Sequence, residues 1–452
     1  MSAAAYLLER AWLDGATRDE VLVEIADGRF TAVLPEASAE RSGGAVRLPG
    51  LTLPGLANAH SHAFHRALRG RTQEVAPGGR GGGSFWTWRE RMYAVAAVLD
   101  PDSLRRLARA AYREMAAAGI TGVGEFHYLH HQLDGTAYDE PNAMGLALLE
   151  AGREAGVRVT LLDACYLSSG FGAPPEGVQR RFADGDVDAW AARVAALAGL
   201  VASAGPGSAP VGAALHSVRA VPPEQLRRWS GPLVHVHLSE QRAENEECLA
   251  RLGATPTQVL ADAGQLHAGT TVVHATHLTD GDVAALGAAG VTACLCPTTE
   301  RDLGDGIGPG RRLHEAGVRL SVGSDSHAVV DPFEEMRAVE LHERLDTERR
   351  GHWPAAELLA AGLRHDSLGV PDAGRIAVGA RADLVTLDLA SPRTAGTGAD
   401  EATAVWAAGP ADVTHVVADG RVVHTAAARE DVGRELADAV ADVWRLVEEA
   451  AR

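Results

Sequence analysis

Lysine is absent from this sequence of 452 residues, so all 42 residues in its lysine-plus-arginine count are arginine. The absence excludes a Schiff-base lysine, a lysine general base and a carboxylated lysine that bridges two metal ions. Codon bias of the genome can explain the choice of arginine by itself. If the active site holds a metal, we therefore expect a site for one ion.

Cysteine is also rare, long apolar runs are missing, and the net charge is negative. Four cysteines, scattered apart from Cys294 and Cys296, argue against a disulfide framework, and this pair is expected to be core thiols. Neither a membrane-length apolar run nor a secretion signal is present, which predicts a cytoplasmic location. The net charge of −18 disfavours nucleic acid and anionic membranes as partners. We expect a small-molecule substrate.

From about residue 50, short apolar runs alternate with longer segments of helical periodicity. Eight strands that alternate with helices predict an α/β fold, a (β/α)₈ TIM barrel. The predicted strands are 51–58, 120–126, 157–164, 210–215, 233–238, 270–274, 291–296 and 319–323, and helices are predicted at 102–118, 187–202, 280–289 and 332–345.

The two ends of the chain alternate apolar and polar residues instead, with turn signals such as Asp419-Gly420. Neither end has enough strands for its own core, so residues 1–50 and 372–428 are predicted to form one small β-sandwich domain beside the barrel of residues 51–371. Residues 429–452 predict a C-terminal helix. The glycine-rich residues 76–84 predict a surface loop or an active-site lid, and their position before the aromatic segment 85–89 favours the lid.

Histidine and aspartate stand at the ends of the predicted strands, where barrel enzymes place their active sites. His60 and His62 share one face of the first strand, because strand side chains alternate. With His237 and Asp325 they form an N₃O set that suits one Zn²⁺ or Fe²⁺. A single histidine is more often a hydrogen-bonded core residue, but packing hardly explains metal- or proton-handling residues at six of eight strand ends.

Two more residues complete a hydrolytic site. A metal with an open position activates water, and attack on a C=N carbon then needs a proton shuttle. Glu240 follows His237 by three residues and can move that proton. His274 can stabilise the developing charge, and Asp325 can share the proton of the water while it touches the metal.

These residues stand in an order that resembles the amidohydrolase superfamily. The resemblance includes the HxH after the first strand, the His-x-x-Glu of the fifth, and segment 380–385 (ARADLV), which looks like the return of that superfamily into its β domain. It covers nearly the whole chain. The His-x-x-Glu form is similar to the one-metal deaminase branch.

Finer motifs resemble one family, the formimidoylglutamate deiminases of histidine degradation. They are 58–67 (NAHSHAFHRA), 84–93 (SFWTWRERMY), 125–128 (EFHY), 216–219 (HSVR) and 323–327 (GSDSH). Each motif is weak alone, but the ordered set is specific. It implies hydrolysis of N-formimino-L-glutamate to N-formyl-L-glutamate and ammonia. We expect one Zn²⁺ per chain, with Fe²⁺ as the alternative, and a homodimer.

The implied substrate carries two carboxylates, which need donors such as bidentate arginine. Arg219 and Arg89 lie on segments predicted at the barrel mouth, and Tyr128, His216 and His65 add further donors. A surface ion pair would explain Arg89 equally well, whereas Arg219 directly follows the His216 motif. His65 stands where the family often has glutamine; both side chains donate, but histidine titrates near neutral pH.

Two alternatives remain open. The first is a deaminase of a nucleobase, nucleoside or other cyclic imine, which would need an aromatic sandwich and less arginine. The second is an inactive homologue with a binding or structural role. Such homologues usually lose a ligand, whereas every expected ligand and Glu240 are present here.

Overall fold

The computed structural model describes residues 4–38, 41–73, 85–203 and 210–452, except for the side chains of residues 85–87. The predicted lid at residues 76–84 lies outside the described residues and stays a prediction. Within these ranges the strands are β1 (Ala4–Leu13), β2 (Ala16–Ala26), β3 (Arg29–Leu34), β4 (Val46–Pro54), β5 (Leu56–Ser61), β6 (Ile120–His127), β7 (Arg158–Cys165), β8 (Val211–Leu215), β9 (Val234–Leu238), β10 (Thr270–His274), β11 (Thr292–Leu295), β12 (Arg319–Val322), β13 (Leu384–Leu387), β14 (Val413–Ala418) and β15 (Arg421–Thr425).

Helices connect these strands and cover the barrel. In chain order they are α1 (Phe85–Val98), α2 (Pro101–Ala117), α3 (Ala143–Ala155), α4 (Val187–Ser203), α5 (Pro223–Leu226), α6 (Arg242–Leu252), α7 (Pro256–Asp262), α8 (Asp280–Ala289), α9 (Pro297–Leu303), α10 (Gly310–Glu315), α11 (Pro332–Thr347), α12 (Ala355–Gly362), α13 (Glu401–Trp406) and α14 (Arg429–Ala450). Among the described helices, none is long and apolar enough to cross a membrane.

Strands from both chain ends form one mixed sheet of the described residues, in the order β15-β14-β13-β4-β1-β2-β3. The turn between β2 and β3 folds against the segment before β13, where Ala382 N donates to Gly28 O over 2.8 Å. A two-residue turn joins β14 to β15, and both Asp419 and Gly420 have positive φ, as that type of hairpin requires. The predicted small β domain built from both ends is confirmed.

The small sheet and the barrel are separated by the single residue Gly55. The strand predicted at 51–58 is therefore wrong in its extent, because β4 belongs to the small sheet and β5 opens the barrel. A Cβ on Gly55 would lie 2.3 Å from Thr121 Oγ1 and 2.8 Å from Asp383 Cβ, so only glycine fits this crossing. Pro54-Gly55 is a turn signal, but apolar residues continue on both sides of it, so the run resembles one strand and the change of sheet is hidden.

The remaining strands of the described chain, β5 to β12, form an eight-stranded parallel sheet in sequence order. It closes into a barrel where Asp325 N donates to His60 O (3.0 Å) and His62 N donates to Asp325 O (3.2 Å). The predicted TIM barrel is confirmed. From β6 to β12, each predicted strand matches the observed one within one residue at either end.

Local sequence explains where the helices begin and end. At the start of α2, Asp100 accepts from Ser103 N (2.7 Å) while its own N–H donates to Ser103 Oγ (2.8 Å), a capping box followed by Pro101. Gly119, with a φ of +94°, follows its C-terminus. The four predicted helices are confirmed within two residues by α2, α4, α8 and α11.

The predicted C-terminal helix is confirmed as α14, which packs on α2. Its apolar face buries Val432, Leu436, Val443 and Trp444. Trp444 Nε1 donates to the carbonyl of Ala67 over 2.8 Å. Burial of this face, rather than helix propensity, is what holds such a helix in place.

A buried ion pair joins the barrel to the small domain. Arg158, on β7, donates from Nη1 and Nη2 to the two oxygens of Asp383 over 3.1 and 3.2 Å, and also to Asp419. Burial disfavours the ionised form of Asp383, but Arg158 outweighs it and lowers the pKa of this carboxyl. The segment predicted as the return into the β domain therefore locks the two domains together.

Candidate active site

The carboxyl ends of β5 and β12 and strand β9 bring the four predicted metal ligands together. His60 Nε2 lies 3.1 Å from His237 Nε2 and 3.2 Å from Asp325 Oδ1, and His62 Nε2 lies 3.3 Å from the same oxygen. Ligands placed tetrahedrally at about 2.0–2.1 Å from Zn²⁺ are about 3.3 Å apart. The four atoms therefore have the spacing of a site for one ion.

Hydrogen bonds to the backbone aim the imidazoles at this point. His62 Nδ1 donates to Phe126 O (2.8 Å) and His237 Nδ1 donates to His216 O (2.9 Å), so each Nε2 carries a lone pair. Burial lowers the pKa of His60 to about 3 and that of His237 well below its usual value, so both stay neutral. Lone pairs this close repel one another unless a cation lies between them, so the donor set fits a divalent metal.

A second set of metal-ligating atoms, from His274, Cys296 and Asp325, also lies within 4.8 Å. It shares Asp325 with the first set. Burial raises the pKa of the Cys296 thiol well above its usual value, which disfavours the thiolate that binds metal. The geometry and donor chemistry of the described residues therefore favour the histidine-rich set.

The backbone is strained at the ends of the ligand-bearing strands. Ser239, His274 and Asp325 have φ of +52°, +68° and +37°. Left-handed backbone costs about 1–3 kcal/mol at a non-glycine residue and is retained mainly at functional sites. Gly323 supports the last of these turns, because a Cβ there would lie 2.8 Å from His60 Cβ.

The predicted proton-handling residues lie beside the ligands. His274 Nε2 is 3.8 Å from Glu240 Oε1 and 3.8 Å from Asp325 Oδ2. Burial raises the pKa of Glu240. Burial opposes protonation of His274, but the surrounding carboxylates outweigh it and raise its pKa well above the usual value. The predicted catalytic trio Glu240, His274 and Asp325 is thus one contact group.

Glu300 is a member of this group that the sequence did not reveal. It lies on α9 and is buried, with Oε1 3.6 Å from His274 Nδ1 and accepting from Cys296 N over 2.9 Å. It follows the seventh strand by several residues and has no strand-end spacing, so the pattern that found the other residues does not reach it.

All five predicted substrate-binding residues line one pocket together with the metal ligands His62, His237 and Asp325 and the catalytic trio. The pocket and the adjoining space that is open to solvent together measure about 680 Å³. A hydrogen bond fixes two side chains of its polar wall, since His65 Nε2 lies 2.9 Å from Tyr128 Oη. The residues predicted separately from distant motifs therefore meet in one cavity; they are His65, Arg89, Tyr128, His216 and Arg219.

The two arginines of the pocket differ in their surroundings. Arg89 Nε donates to Tyr93 Oη over 2.6 Å, and its guanidinium stacks on the Tyr93 ring. Arg219 is half-buried and makes no hydrogen bond or ion pair with another residue of the described ranges. A half-buried guanidinium without a protein partner is available to a ligand carboxylate.

Aromatic residues that sequence reasoning missed form the rest of the wall. Tyr166 and Phe182 come from the end of β7 and from the short 3₁₀ helix Gly177–Phe182, and Gln179 donates to the hydroxyls of Tyr93 and Tyr166 over 3.0 Å. Trp88, from the predicted aromatic segment, also lines the pocket. The wall combines aromatic faces with aligned hydroxyls.

Three further histidines are buried. His130 and His131 lie beside Asp163 and Asp184. His327 lies next to Ser61 behind the metal ligands. Cys294 and Cys296 are buried free thiols, as predicted.

The chain is similar to known proteins over most of its length. The pattern of the amidohydrolase family matches residues 51–423. Formimidoylglutamate deiminase of Pseudomonas aeruginosa is 39% identical over 441 residues, which cover 93% of this chain and 94% of the relative. A 5-methylthioadenosine/S-adenosylhomocysteine deaminase of Halobacterium salinarum is 28% identical over 416 residues, covering 89% and 88%.

Solved structures share the architecture. An amidohydrolase from Brucella melitensis superposes with a TM-score of 0.87 and 30% identity, covering 98% of this chain and all of that one. An adenosine deaminase from Xanthomonas campestris, with bound zinc, superposes with a TM-score of 0.81 at 22% identity, covering 99% and 98%. The latter identity supports the fold alone.

Proposed function

The chain belongs to the amidohydrolase family, and on that premise we propose that it hydrolyses N-formimino-L-glutamate to N-formyl-L-glutamate and ammonia. The similarity to a formimidoylglutamate deiminase over nearly the whole chain supports this reaction within the family. Arg219 is the observation that carries the proposal. Among the described residues, its guanidinium makes no hydrogen bond or ion pair, and it faces a pocket that also contains the hydrolytic group, as a substrate with carboxylates requires.

Residues of this chain account for the proton transfers. A new C–O bond forms at the formimino carbon, and the C–N bond to the terminal nitrogen breaks. Glu240 accepts one proton from the attacking water and gives it to the terminal nitrogen, and it then moves the second proton from the new hydroxyl to the same nitrogen, which leaves as ammonia. His274 donates towards the oxygen that adds to the formimino carbon, and the carboxylate of Asp325 balances the positive charge of that donor.

The carboxylates of the substrate are assigned to the other wall of the pocket. Arg219 binds one of them, and Arg89 with Tyr93 forms the cationic corner for the other. His216, Tyr128 and the His65 paired with it supply hydrogen-bond donors between the two. These contacts hold the formimino group against Glu240.

We assign one zinc ion to His60, His62, His237 and Asp325. The N₃O donor set suits Zn²⁺, and Fe²⁺ is the alternative. The similarly folded deaminase from Xanthomonas campestris has bound zinc. When bound, such an ion supplies a Lewis acid that activates water near neutral pH. We further propose a homodimer in the cytoplasm, where the four free thiols would remain reduced.

Ammonia release from a substrate panel tests the function. Zinc-loaded protein is assayed with N-formimino-L-glutamate, N-formiminoglycine, 5-methylthioadenosine, adenosine and cytosine, with Glu240→Gln as the control for contaminating activity. We expect the highest kcat/KM with N-formimino-L-glutamate. The aromatic pocket wall and the 28% identical relative favour nucleoside deamination as the second candidate. Ammonia from a nucleoside but none from formiminoglutamate would replace the proposal by that candidate.

A further inference from the structure

Ser61 lies between the metal ligands His60 and His62 and points to the opposite face of β5. Its Oγ donates to Glu125 Oε2 over 2.7 Å and lies 3.0 Å from His327 Nε2. Ser61 and His327 are fully buried and Glu125 is 2% exposed. Burying polar groups this deeply costs folding free energy unless the groups are hydrogen-bonded to one another.

We propose that His327, Ser61 and Glu125 form a hydrogen-bonded chain that sets the spacing of the metal ligands. They are positioning residues, since none contributes a ligand atom to the N₃O set. The proposal concerns the affinity for the metal, so it holds whichever substrate the enzyme uses.

The hydrogen atoms in the chain can be assigned. The two oxygens of Glu125 accept from Ala63 N (2.7 Å) and from Ser61 Oγ. Burial raises the pKa of Glu125 to about 7. When Glu125 is ionised, the Ser61 hydroxyl gives its one proton to Glu125, so His327 Nε2 carries a proton and donates it to Ser61. The direction His327 to Ser61 to Glu125 fixes each donor and acceptor.

Each member of the chain is tied to at least one ligand. Ser61 is the backbone link between His60 and His62. Glu125 precedes Phe126, whose carbonyl accepts from His62 Nδ1. His327 follows Asp325 by two residues. A shift of any one strand at this point would therefore move an imidazole or the carboxylate.

The seam between β5 and β12 needs this reinforcement. β12 ends at Val322, and beyond it the described backbone pairs with β5 through the bonds between Asp325 and its two histidine neighbours. Asp325 and His327 have φ of +37° and +57°, which the surrounding contacts must hold. Arg69 Nε donates to His327 O over 2.7 Å and anchors the far end of the chain.

Zinc affinity, measured without substrate by competition with a chromophoric chelator, tests the proposal. Loss of partners that orient metal ligands typically weakens metal binding by about 10–100-fold. We expect Ser61→Ala to fall in that range. Ser326→Ala is the matched control, because Ser326 is also buried (5% exposed) but its hydroxyl pairs with Thr299 Oγ1 over 3.0 Å, outside the chain. It should stay within about twofold of the parent. Equal affinities of the two alanine variants would overturn the proposal.

Two substitutions of His327 separate the hydrogen bond from packing. His327→Gln keeps an N–H donor, whereas His327→Leu removes it while filling similar space. We expect the glutamine variant to retain zinc affinity within a few-fold and the leucine variant to lose about 10–100-fold. Both are compared in samples whose metal-free melting curves match the parent. The two His327 variants test the proposal even if Ser61→Ala fails to fold. Equal zinc affinities of these two variants would refute the role of the His327 N–H donor.

Discussion

Replacing Arg219 by lysine keeps the charge but removes the planar, two-pronged donor. Truncating one partner of a desolvated charge pair costs about 2–5 kcal/mol. Arg219 remains partly exposed in its pocket and lysine retains the cation, so the lower part of that range applies. We expect kcat/KM for N-formimino-L-glutamate to fall by about 30- to 160-fold, which corresponds to about 2–3 kcal/mol.

Two substrate analogues identify what Arg219 contacts. N-formimino-4-aminobutyrate lacks the α-carboxylate of the substrate, and N-formimino-2-aminobutyrate lacks the side-chain carboxylate. The variant should lose the full factor with one analogue and little with the other, because one of them no longer carries the group that Arg219 binds. Ammonia release with parent and variant gives the ratio for each compound.

A control and a contrary outcome complete this test. Arg227→Lys makes the same exchange at an exposed position eight residues away and should leave kcat/KM within about twofold. Equal losses for all three substrates in Arg219→Lys would show that the arginine supports the barrel mouth without contacting a carboxylate. The proposed substrate would then rest on similarity alone.

Three further predictions follow from the site and the domain contact. Glu240→Gln should lower kcat by about 10²–10⁴-fold with zinc content unchanged in elemental analysis, and near-normal turnover would remove Glu240 from proton transfer. Metal-replete protein should contain one tightly bound ion per chain and lose activity on chelation, whereas two tight ions would contradict the single N₃O site. Asp383→Asn, which leaves the buried Arg158 with Asp419 as its remaining charge partner, should reduce the free energy of unfolding by about 1–3 kcal/mol in denaturant titration. The exposed Asp431→Asn should change it by less than about 0.5 kcal/mol; similar values for both would refute the domain lock.

The metal ligands could be predicted because a strand imposes a rigid rule on its side chains. His60 and His62 had to share a face, and parallel strands of a barrel had to bring His237 and Asp325 to the same end. Strand and helix bounds were predictable for the same reason, since the alternation of apolar runs and helical periods is strong throughout the barrel.

What escaped prediction lies where no periodic rule applies. Phe182 and Gln179 reach the pocket from a 3₁₀ helix in a long connection, and Glu300 acts from a helix behind the strand end. The path of such segments depends on tertiary packing, which spacing along the chain does not encode. Gly55 escaped because its role is close approach to Thr121, a contact that becomes visible only once both domains are placed.

The pairing of β13 with β4 has a consequence for how the protein is made. Leu384 pairs with Pro54, roughly 330 residues apart, at the centre of the small sheet. During synthesis one side of β4 remains unpaired until the entire barrel and then β13 have left the ribosome. An exposed edge with Leu51 and Leu53 is a template for association between nascent chains. Translation speed and chaperone supply should therefore control the yield of this protein more than the stability of its finished barrel does.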